Sequence, residues 1–415
     1  MRIFLVGGFV RDMKFGLYPM DKDYVVTGYT EKELLNSKLF GVKLKKISSQ
    51  NFPVYHDQKG NEWSLARREQ KQGEGYHGFN VQFGPEVTIE ADLSRRDLTI
   101  NSMAIEVFDD MNTRPLEIID PYGGLKDIEN KVLRHTSLAF QEDPVRVLRL
   151  ARFRARFGPD WVVADETKDL IYKMNKAGIL SELTPERIWK EMSRALMEDY
   201  PRLFFDTLLQ CDVLHILFPE LYKLKTALES YKFHPEGEAY SHTMLVITQA
   251  ARMKYDLETR LACLVHDLGK GATPRSELPK HYGHDIKGAH IAREFCSRLR
   301  IPAKIRDRCV KATRYHMTGH RLDQTNPKTY VKMFDRMGLL NDPNIVPLLL
   351  RLFICDHRGR LGSENSDISH LELFNRKASA YMETKFNDVF PYGETNVNKI
   401  KQELFKARVQ AVKSA

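Results

Sequence analysis

Leu5-Val6-Gly7-Gly8-Phe9-Val10-Arg11-Asp12, followed by Asp21-Lys22-Asp23, is the stretch that decides the fold of the first part of the chain. The run Arg2–Val6 predicts a strand, the glycine pair a turn, and Val10–Phe15 a short helix. Asp23–Thr27 predicts a second strand, which begins at the second acid of the pair. Strand, turn, helix and strand in this order indicate a mixed α/β domain.

The two aspartates of this stretch are candidates for metal binding. Side chains two residues apart on a strand point to the same face, so Asp21 and Asp23 can converge on Mg²⁺, which prefers carboxylate oxygens and substrate phosphates. Such a site activates an attacking hydroxyl and steadies a leaving pyrophosphate. Taken alone, however, Asp-Lys-Asp is more typical of a solvated turn.

Three other residues of this region have a predicted role in the same chemistry. The backbone at Gly8 would approach a triphosphate closely, and Arg11 would neutralise its charge. Glu62, on a predicted strand Glu62–Arg67, is a possible third metal ligand, although an exposed strand glutamate is an equally good interpretation.

Together these motifs resemble the head of the polymerase-β-type nucleotidyltransferases, and more closely that of the class II CCA-adding enzymes and bacterial poly(A) polymerases. The resemblance continues through DLSRRDLTIN (92–101), EDPVRVLR (142–149) and TPER (184–187). It implies an α+β fold with a five-stranded mixed sheet in the head, followed by an all-helical neck and body with an HD bundle. It also implies addition of C, C and A to the 3′ end of tRNA from CTP and ATP, with Mg²⁺ in the head.

Nucleotide choice is expected to depend on residues near the start of the predicted helix Val145–Arg156. Asp143 and Arg146 would share one helix face. A carboxylate accepts from the exocyclic amine of cytosine or adenine and an arginine donates to ring acceptors, whereas uracil and guanine present a carbonyl instead of the amine. The resemblance implies this templating role; without it, these residues would be ordinary helix-surface ion pairs. Arg96 would contact the nucleotide or order the site, and Arg149 would support the phosphates or the templating arginine.

A second constellation lies further along the chain and is rich in histidine. Neutral imidazoles with carboxylates suit a transition metal, and an open position on that metal can activate water. The order H…HD…D resembles the HD phosphohydrolases, which implies Ni²⁺ or a similar ion together with phosphatase, 2′-nucleotidase and 2′,3′-cyclic phosphodiesterase activities. The matching ligands are His242, His266, Asp267 and Asp356, and the further possible ligands are His281, His284, His290 and His316.

Length and composition agree with this organisation. A chain of 415 residues suits two or three domains. We expect a head over 1–135, a helical neck with the templating helix over 136–225, an HD domain over 239–340, and a helical body and tail over 341–415. The excess of 64 Lys+Arg over 55 Asp+Glu suits a polyanionic partner such as tRNA.

The remaining features concern the compartment and the rival functions. The scattered cysteines, five in number, predict reduced core thiols of a cytoplasmic protein. No apolar run is long enough to span a membrane, and a monomer or a homodimer is expected. The alternatives are a poly(A) polymerase, a phosphodiesterase whose head is inactive, and a non-catalytic tRNA-binding protein.

Overall fold

The computed structural model describes residues 1–17, 21–37, 41–48, 53–71, 79–108, 117–391 and 393–415. These residues form two compact units, Met1–Thr184 and Pro185–Ala415. The first unit contains all the strands and the second is helical. The predicted α+β class is confirmed.

The first unit has eleven strands in its described part. They are β1 (Arg2–Val6), β2 (Asp23–Thr27), β3 (Lys45–Ser48), β4 (Val54–His56), β5 (Glu62–Leu65), β6 (Arg67–Lys71), β7 (Phe79–Phe83), β8 (Ala104–Val107), β9 (Ile118–Ile119), β10 (Val132–Leu133) and β11 (Val162–Val163).

Seven of these strands form one mixed sheet in the order β3-β4-β5-β2-β1-β8-β9. Only the β2–β5 pair in this sheet is parallel. The expected five-stranded sheet is therefore wrong in number, because edge strands as short as Ile118–Ile119 leave little periodic pattern in the sequence. The strands β6–β7 and β10–β11 form separate pairs.

Both faces of the large sheet are covered, which explains the unbroken apolar run in β1. Phe4 and Val6 pack with Val25 on one face. Ile3 packs with Val26 on the other face. A strand that is buried on both sides carries a continuous apolar sequence rather than an alternating one.

Two helices of the first unit, α1 and α5, carry residues of the candidate site. The helix α1 begins at Gly8, two residues before the predicted start, and α5 covers Val145–Phe157, as predicted to within one residue. The full set is α1 (Gly8–Lys14), α2 (Glu31–Asn36), α3 (Ile89–Ser94), α4 (Gly124–Glu129), α5 (Val145–Phe157) and α6 (Asp165–Lys176), with 3-10 turns at Thr99–Asn101, Leu138–Glu142 and Ile179–Glu182.

The second unit consists of helices α7 to α19 and short 3-10 turns. The helices are α7 (Pro185–Met197), α8 (Arg202–Gln210), α9 (Leu214–Leu217), α10 (Pro219–Lys223), α11 (Ala239–Arg252), α12 (Leu257–Val265), α13 (His284–Arg298), α14 (Ala303–Tyr315), α15 (Pro327–Met337), α16 (Ile345–Arg358), α17 (Glu372–Glu383), α18 (Phe386–Val389) and α19 (Val397–Ser414). The 3-10 turns are Leu224–Thr226, Leu268–Ala272, Arg275–Glu277, His316–His320 and Ser369–Leu371.

Three smaller expectations can be compared with the structure. The glycine-rich stretch Gln72–Gly84 is expected from its sequence to be a loop, but its end forms the strand β7; residues 72–78 lie outside the described part. All five cysteines are free and buried. Among the described residues, none of the helices has the length and apolarity needed to cross a membrane.

Candidate functional site

The turn after β1 brings its backbone close to a basic side chain. Gly7 has φ 68° and ψ −127°, a conformation that favours glycine. A Cβ atom at this position would lie 2.8 Å from Nη1 of Arg96. The absence of a side chain at Gly7 therefore leaves room for the arginine beside the first turn of α1.

The acid pair opens β2, but its two members are placed differently. Asp23 is the first residue of the strand, which has the predicted bounds Asp23–Thr27, and Asp21 precedes the strand. The two acids are therefore not both strand residues, although both are exposed. The negative charge of Asp21 nevertheless reaches Asp23: desolvation, and then Asp21, raise the pKa of Asp23 against the opposing charge of Arg96.

Glu62 lies beside Asp23 on the neighbouring strand. The two residues are direct partners in the parallel pair of β2 and β5. Desolvation, followed by the charge of Asp23, raises the pKa of Glu62. Neighbouring carboxylates whose pKa values are raised in this way favour a cation, so the donors at the start of β2 and β5 fit a hard divalent metal.

A cavity of about 350 Å³ opens next to this edge. It brings together residues from β2, the Gly7-Gly8 turn, the segment after α3 and the start of α5. Its lining contains every predicted nucleotide-binding residue and one of the two predicted catalytic acids, namely Gly8, Arg11, Arg96, Asp143, Arg146, Arg149 and Asp23. Asp21 is outside this lining.

Asp92 holds two arginines of the RRD motif. Its buried carboxylate accepts from Nη2 of Arg95 at 2.7 Å and from Nη2 of Arg96 at 3.1 Å. Burial opposes ionisation of Asp92, but the two arginines lower its pKa to about 2. The sequence contained this aspartate within the motif, yet its role in positioning Arg96 follows only from the folded contacts.

Asp97 holds Arg149, an arginine of α5, by a similar contact. Its Oδ2 accepts from Nε of Arg149 at 2.7 Å, and its Oδ1 accepts from Nδ2 of Asn101 at 3.0 Å. Burial opposes ionisation, but Arg149 and these hydrogen bonds lower the pKa of Asp97 to about 2. Asn101, a lining residue that sequence reasoning missed, also accepts from Arg11 at 2.5 Å.

Arg11 is buried and already has protein partners. Its Nε donates to Oδ1 of Asp12 at 2.7 Å, and its guanidinium lies 5.1 Å from the ring centroid of Phe153. Desolvation lowers the pKa of Arg11, and the charge of Asp12 opposes this effect. The guanidinium still lines the cavity.

Asp143 is not on a helix, which corrects the predicted helical geometry of the templating pair. It has φ −130° and ψ 104°, and α5 begins two residues later. The residue before a proline is disfavoured in the helical region, and Pro144 follows Asp143. The two residues still approach one another: Oδ1 of Asp143 accepts from the backbone N–H of Val145 at 3.1 Å, and the backbone N–H of Arg146 donates to the carbonyl of Asp143 at 3.0 Å.

The side chain of Arg146 is fixed from the other direction. It is buried, and its Nη1 donates to the carbonyl of Ala139 at 2.7 Å. Asp143, which precedes α5, and Arg146, in the first turn of α5, both line the cavity.

In the second unit, the four predicted HD ligands meet. His242 lies on α11, His266 and Asp267 directly follow α12, and Asp356 lies on α16. Nε2 of His242 is 3.1 Å from Oδ1 of Asp356, and Nε2 of His266 is 3.1 Å from Oδ2 of Asp267. All four side chains are buried.

Further histidines extend this centre. Nε2 of His316 lies 3.3 Å from Oδ1 of Asp267, and Nε2 of His284 lies 3.5 Å from the same oxygen. Desolvation lowers the pKa of His284 to about 4, which keeps its imidazole neutral and able to bind a metal. By contrast, His290 is exposed on α13, and His281 hydrogen-bonds to Leu228 and Thr273.

The tautomers of these imidazoles suit metal binding. Nδ1 of His266, His284 and His316 donates to the carbonyl oxygens of Cys263, His281 and Thr313, at 2.8, 2.7 and 2.7 Å. In the neutral form of a ring, Nε2 carries the lone pair and lies toward a carboxylate. For His266, desolvation opposes protonation but the charge of Asp267 raises the pKa, so a proton and a metal ion would compete for its Nε2.

Two ligand groups share one aspartate. His242, His266 and Asp267 form one group, and Asp267, His284 and His316 form another, with ligand atoms within 4.8 Å of one another in each. Nε2 of His266 and Oδ1 of Asp267 are buried without a hydrogen-bond partner. Unpaired buried polar atoms are costly, so these donors fit one or two divalent cations.

A shell of charged residues that sequence reasoning missed surrounds the ligands. Nδ1 of His242 is 3.0 Å from Oε1 of Glu236, which also contacts His234 at 3.0 Å. Lys270 pairs with Asp267 at 2.7 Å and with Glu229. These partners come from the segments 229–236 and 268–272, and only the lysine had a signal in the sequence, as the last residue of HDLGK.

Asp356 has a second imidazole partner. Nε2 of His320 is 2.8 Å from Oδ2 of Asp356. Although burial favours the neutral acid, His320 and then His242 hold the pKa of Asp356 well below its usual range. The ionised carboxylate is the form that binds a metal.

Gly269 allows the turn after Asp267 to approach α13. A Cβ atom at this position would overlap with the carbonyl oxygen of His284 and would lie 2.6 Å from the backbone nitrogen of Gly288. The close approach brings the Asp267 turn to the helix that supplies His284.

A cavity of about 940 Å³ opens over this centre. Its lining includes the ligands Asp267, His284, His316 and Asp356. The size lies within the usual range of small-molecule sites.

Comparison with known protein families assigns the two centres. Residues 3–134 match the family described as "Poly A polymerase head domain". Residues 239–340 match "HD domain", and residues 162–224 match "Probable RNA and SrmB- binding site of polymerase A". The chain thus carries a segment that matches a poly(A) polymerase head domain and, further along, a segment that matches an HD domain.

Solved structures of similar fold cover nearly all of the chain. "The structure of CCA-adding enzyme apo form I" has a TM-score of 0.61 and 21% identity, over 100% of this chain and 87% of the other. "Thermotoga maritima CCA-adding enzyme complexed with tRNA-CCA" has a TM-score of 0.60 and 21% identity, over 100% and 88%. "Structure of tRNA-processing enzyme with CTP" has a TM-score of 0.56 and 22% identity, over 100% and 96%. At this identity the likeness shows the fold.

Proposed function

We propose that the head adds C, C and A to the 3′ end of tRNA, using CTP and ATP and releasing pyrophosphate. The observation that carries this proposal is the cavity that joins Asp23, at the start of β2, to Asp143 and Arg146, at the start of α5. A candidate metal ligand, Asp23, and a polar pair suited to the hydrogen-bonding groups of a base, Asp143 and Arg146, thus line the same cavity. The ligands named for the similar structures, tRNA-CCA and CTP, agree with this choice.

Each residue of the cavity has a role in the proposed reaction. Asp21 and Asp23, with Glu62 as a third candidate, would hold Mg²⁺. The bound Mg²⁺ would favour the attacking 3′-hydroxylate and neutralise the departing pyrophosphate. The backbone at Gly8 and the guanidiniums of Arg11 and Arg96 would bind the triphosphate.

Base choice would come from the protein rather than from a template strand. The carboxylate of Asp143 accepts from the exocyclic amine of cytosine or adenine, and Arg146 donates to a ring nitrogen. Uracil and guanine would leave these groups unpaired, at a cost of about 1–3 kcal/mol for each group. Arg149, held by Asp97, would support Arg146 or the phosphates.

The test is the incubation of tRNA that lacks CCA with Mg²⁺ and one or both nucleoside triphosphates. We expect addition of two C from CTP alone, and addition of a single A only after both C are in place. Unlimited addition of A would contradict the proposal and indicate a poly(A) polymerase. Failure to add any nucleotide would leave the HD domain as the working part.

We also propose that the HD centre hydrolyses phosphate esters, with phosphatase, 2′-nucleotidase and 2′,3′-cyclic phosphodiesterase activities. His242, His266, Asp267 and Asp356 would hold Ni²⁺ or a similar ion. A second ion would be held by Asp267, His284 and His316. The bound ion would supply a metal-activated water near pH 7.

The two activities are testable separately. Replacement of both His266→Ala and Asp267→Ala should abolish phosphohydrolysis and leave CCA addition within about two-fold, because these residues lie in the second unit and the head cavity lies in the first. Loss of both activities in a folded variant would contradict separable sites.

The predicted domain bounds, 1–135, 136–225, 239–340 and 341–415, remain part of this proposal.

A further inference from the structure

Two large aromatic side chains stand exposed in the lining of the HD cavity. Phe233 is 58% exposed and Tyr282 is 68% exposed. Single exposed aromatics are common on protein surfaces and need no explanation. Two of them, on separate loops, line the cavity that contains the buried predicted ligands Asp267 and Asp356.

The loop that carries Phe233 is tied to the metal ligands. The next residue, His234, is held by Glu229 at 2.8 Å and by Glu236 at 3.0 Å. Glu236 in turn contacts the predicted ligand His242. The backbone next to Phe233 is thus tied to the predicted ligand His242 by a chain of hydrogen-bonded side chains.

The loop that carries Tyr282 is tied to the first loop. The carbonyl oxygen of Leu228 accepts from Nε2 of His281 at 3.1 Å. In the neutral ring, Nδ1 therefore accepts from the hydroxyl of Thr273 at 2.8 Å. On the other side of Tyr282, Gly283 has φ 66° and is the N-cap of α13, whose first residue is His284. Both aromatic loops therefore end at residues of the metal centre or of its supporting shell.

The rest of the lining is suited to a sugar phosphate. Lys280, Arg321 and Arg360 line the same cavity, as does Lys270, which is already paired with Asp267 and Glu229. Nε of Arg360 is buried without a hydrogen-bond partner. A cavity of about 940 Å³ has room for a base, a ribose and a phosphate.

We propose that Phe233 and Tyr282 stack on a nucleobase while the ribose phosphate attached to it reaches the metal ligands. This inference rests on the proposed phosphohydrolase function and adds to it a subsite for the base of the nucleotide, which is either free or at the 3′ end of an RNA. Every base has a π-face, so stacking of this kind tolerates different bases. Loss of one ring should weaken binding of the nucleotide by about 5- to 150-fold.

The test compares a substrate that has a base with one that does not. We would measure kcat and KM for adenosine 2′-monophosphate and for ribose 2-phosphate, with Ni²⁺, in the full chain. The variants are Phe233→Leu, Tyr282→Leu and the double change. The matched control is Tyr231→Leu, because Tyr231 is 77% exposed in the same loop but is not in the cavity lining.

We expect the preference for the nucleotide over the base-free substrate to fall in all three variants, mainly through KM, and to persist in the control. A third arm uses a short RNA that ends in a 2′,3′-cyclic phosphate. A matching loss in that arm identifies an RNA end as substrate, and a loss confined to the mononucleotide identifies a free nucleotide. No preference in the wild-type protein, or an equal loss on both small substrates, would overturn the inference.

A second measurement separates this inference from the proposed activity. Photo-crosslinking with 8-azidoadenosine 2′-monophosphate, without added metal, should label the peptides that contain Phe233 and Tyr282, and the leucine variants should reduce this labelling. If the wild-type protein hydrolyses neither substrate yet labels in this way, the hydrolase proposal fails and the base site stands. Labelling that the variants leave unchanged would refute the base site itself.

Discussion

Nε2 of His284 and Nε2 of His316 face each other at 3.2 Å. Because each ring donates its Nδ1 proton to a backbone carbonyl, two lone pairs point at one another in the neutral forms. Lone pairs at this distance repel unless a proton or a metal ion lies between them. The pair is therefore arranged for a positively charged occupant, with Oδ1 of Asp267 as the third donor.

Metal binding should stabilise the protein through this pair. Ni²⁺ at about 100 times its dissociation constant should raise the free energy of unfolding by about 2.7 kcal/mol, and a chelator should reverse this effect. We expect His316→Ala to reduce the Ni²⁺-dependent rise in Tm. His290→Ala is the matched control, since this exposed histidine is on α13 but outside the ligand groups. An equal rise in Tm for both variants would contradict the second ligand group.

Nucleotide choice should depend on Asp143. Its replacement by alanine should reduce discrimination against UTP by about 10- to 100-fold, because the carboxylate that rejects a carbonyl is gone. Incorporation of each nucleotide into tRNA lacking CCA measures this ratio. Asp169→Ala, a change on α6 away from the cavity lining, should leave the ratio unchanged. Wild-type nucleotide choice in Asp143→Ala would refute the templating role.

Asp97 should make the stability of the protein depend on acid pH. Its pKa is about 2 in the folded chain, against about 3.9 for an unfolded aspartate. The contribution is present above pH 4 and is lost as the pH falls toward 2, because the unfolded chain takes up the proton first; it amounts to about 2–3 kcal/mol. Asp97→Asn should flatten this part of the profile in denaturant titrations, and Asp169→Asn should not. Two parallel profiles would refute the Asp97–Arg149 pairing as its source.

The Gly7 turn should tolerate no side chain. Gly7→Ala should destabilise the protein by about 1–3 kcal/mol through its positive φ, and should also displace Arg96. Gly123→Ala separates these effects, since Gly123 has φ 75° but open space where a Cβ atom would lie. We expect a smaller loss of stability in denaturant titrations for Gly123→Ala, because Gly123 lies in the left-handed helical region and Gly7 does not, and loss of CMP addition only for Gly7→Ala. Equal activity in the two variants would show that the contact with Arg96 is unimportant.

Much of the head could be predicted because its signals are local. The apolar run of β1, the glycine turn and the periodicity of α5 each lie within a few residues, and the structure reproduces them. The predicted helical position of Asp143 is wrong. Pro144 indicates that the residue before it is not helical, but the prediction gave more weight to the helical spacing between Asp143 and Arg146. The short strands β3, β4 and β9 have no comparable pattern.

The supporting shell of the HD centre could not be predicted in the same way. Glu236, His234 and His320 contact the ligands across turns and helix ends, and their sequence spacing follows no period. Asp92 and Asp97 are visible within a motif, but their hold on Arg96 and Arg149 depends on burial that only the fold creates. Local patterns thus identify the candidate ligands, and long-range packing determines what orients them.

The close approach at Gly269 has a consequence for genetics. Any side chain at this position would push the turn that bears Asp267 away from the helix that bears His284, although glycine itself offers no metal-binding atom. A random-mutagenesis screen for loss of phosphohydrolysis should therefore recover changes at position 269 as readily as changes at the histidines. Sensitivity to mutation would mark the architecture around the ion as well as its ligands, and metal content of the purified variants would be needed to tell the two apart.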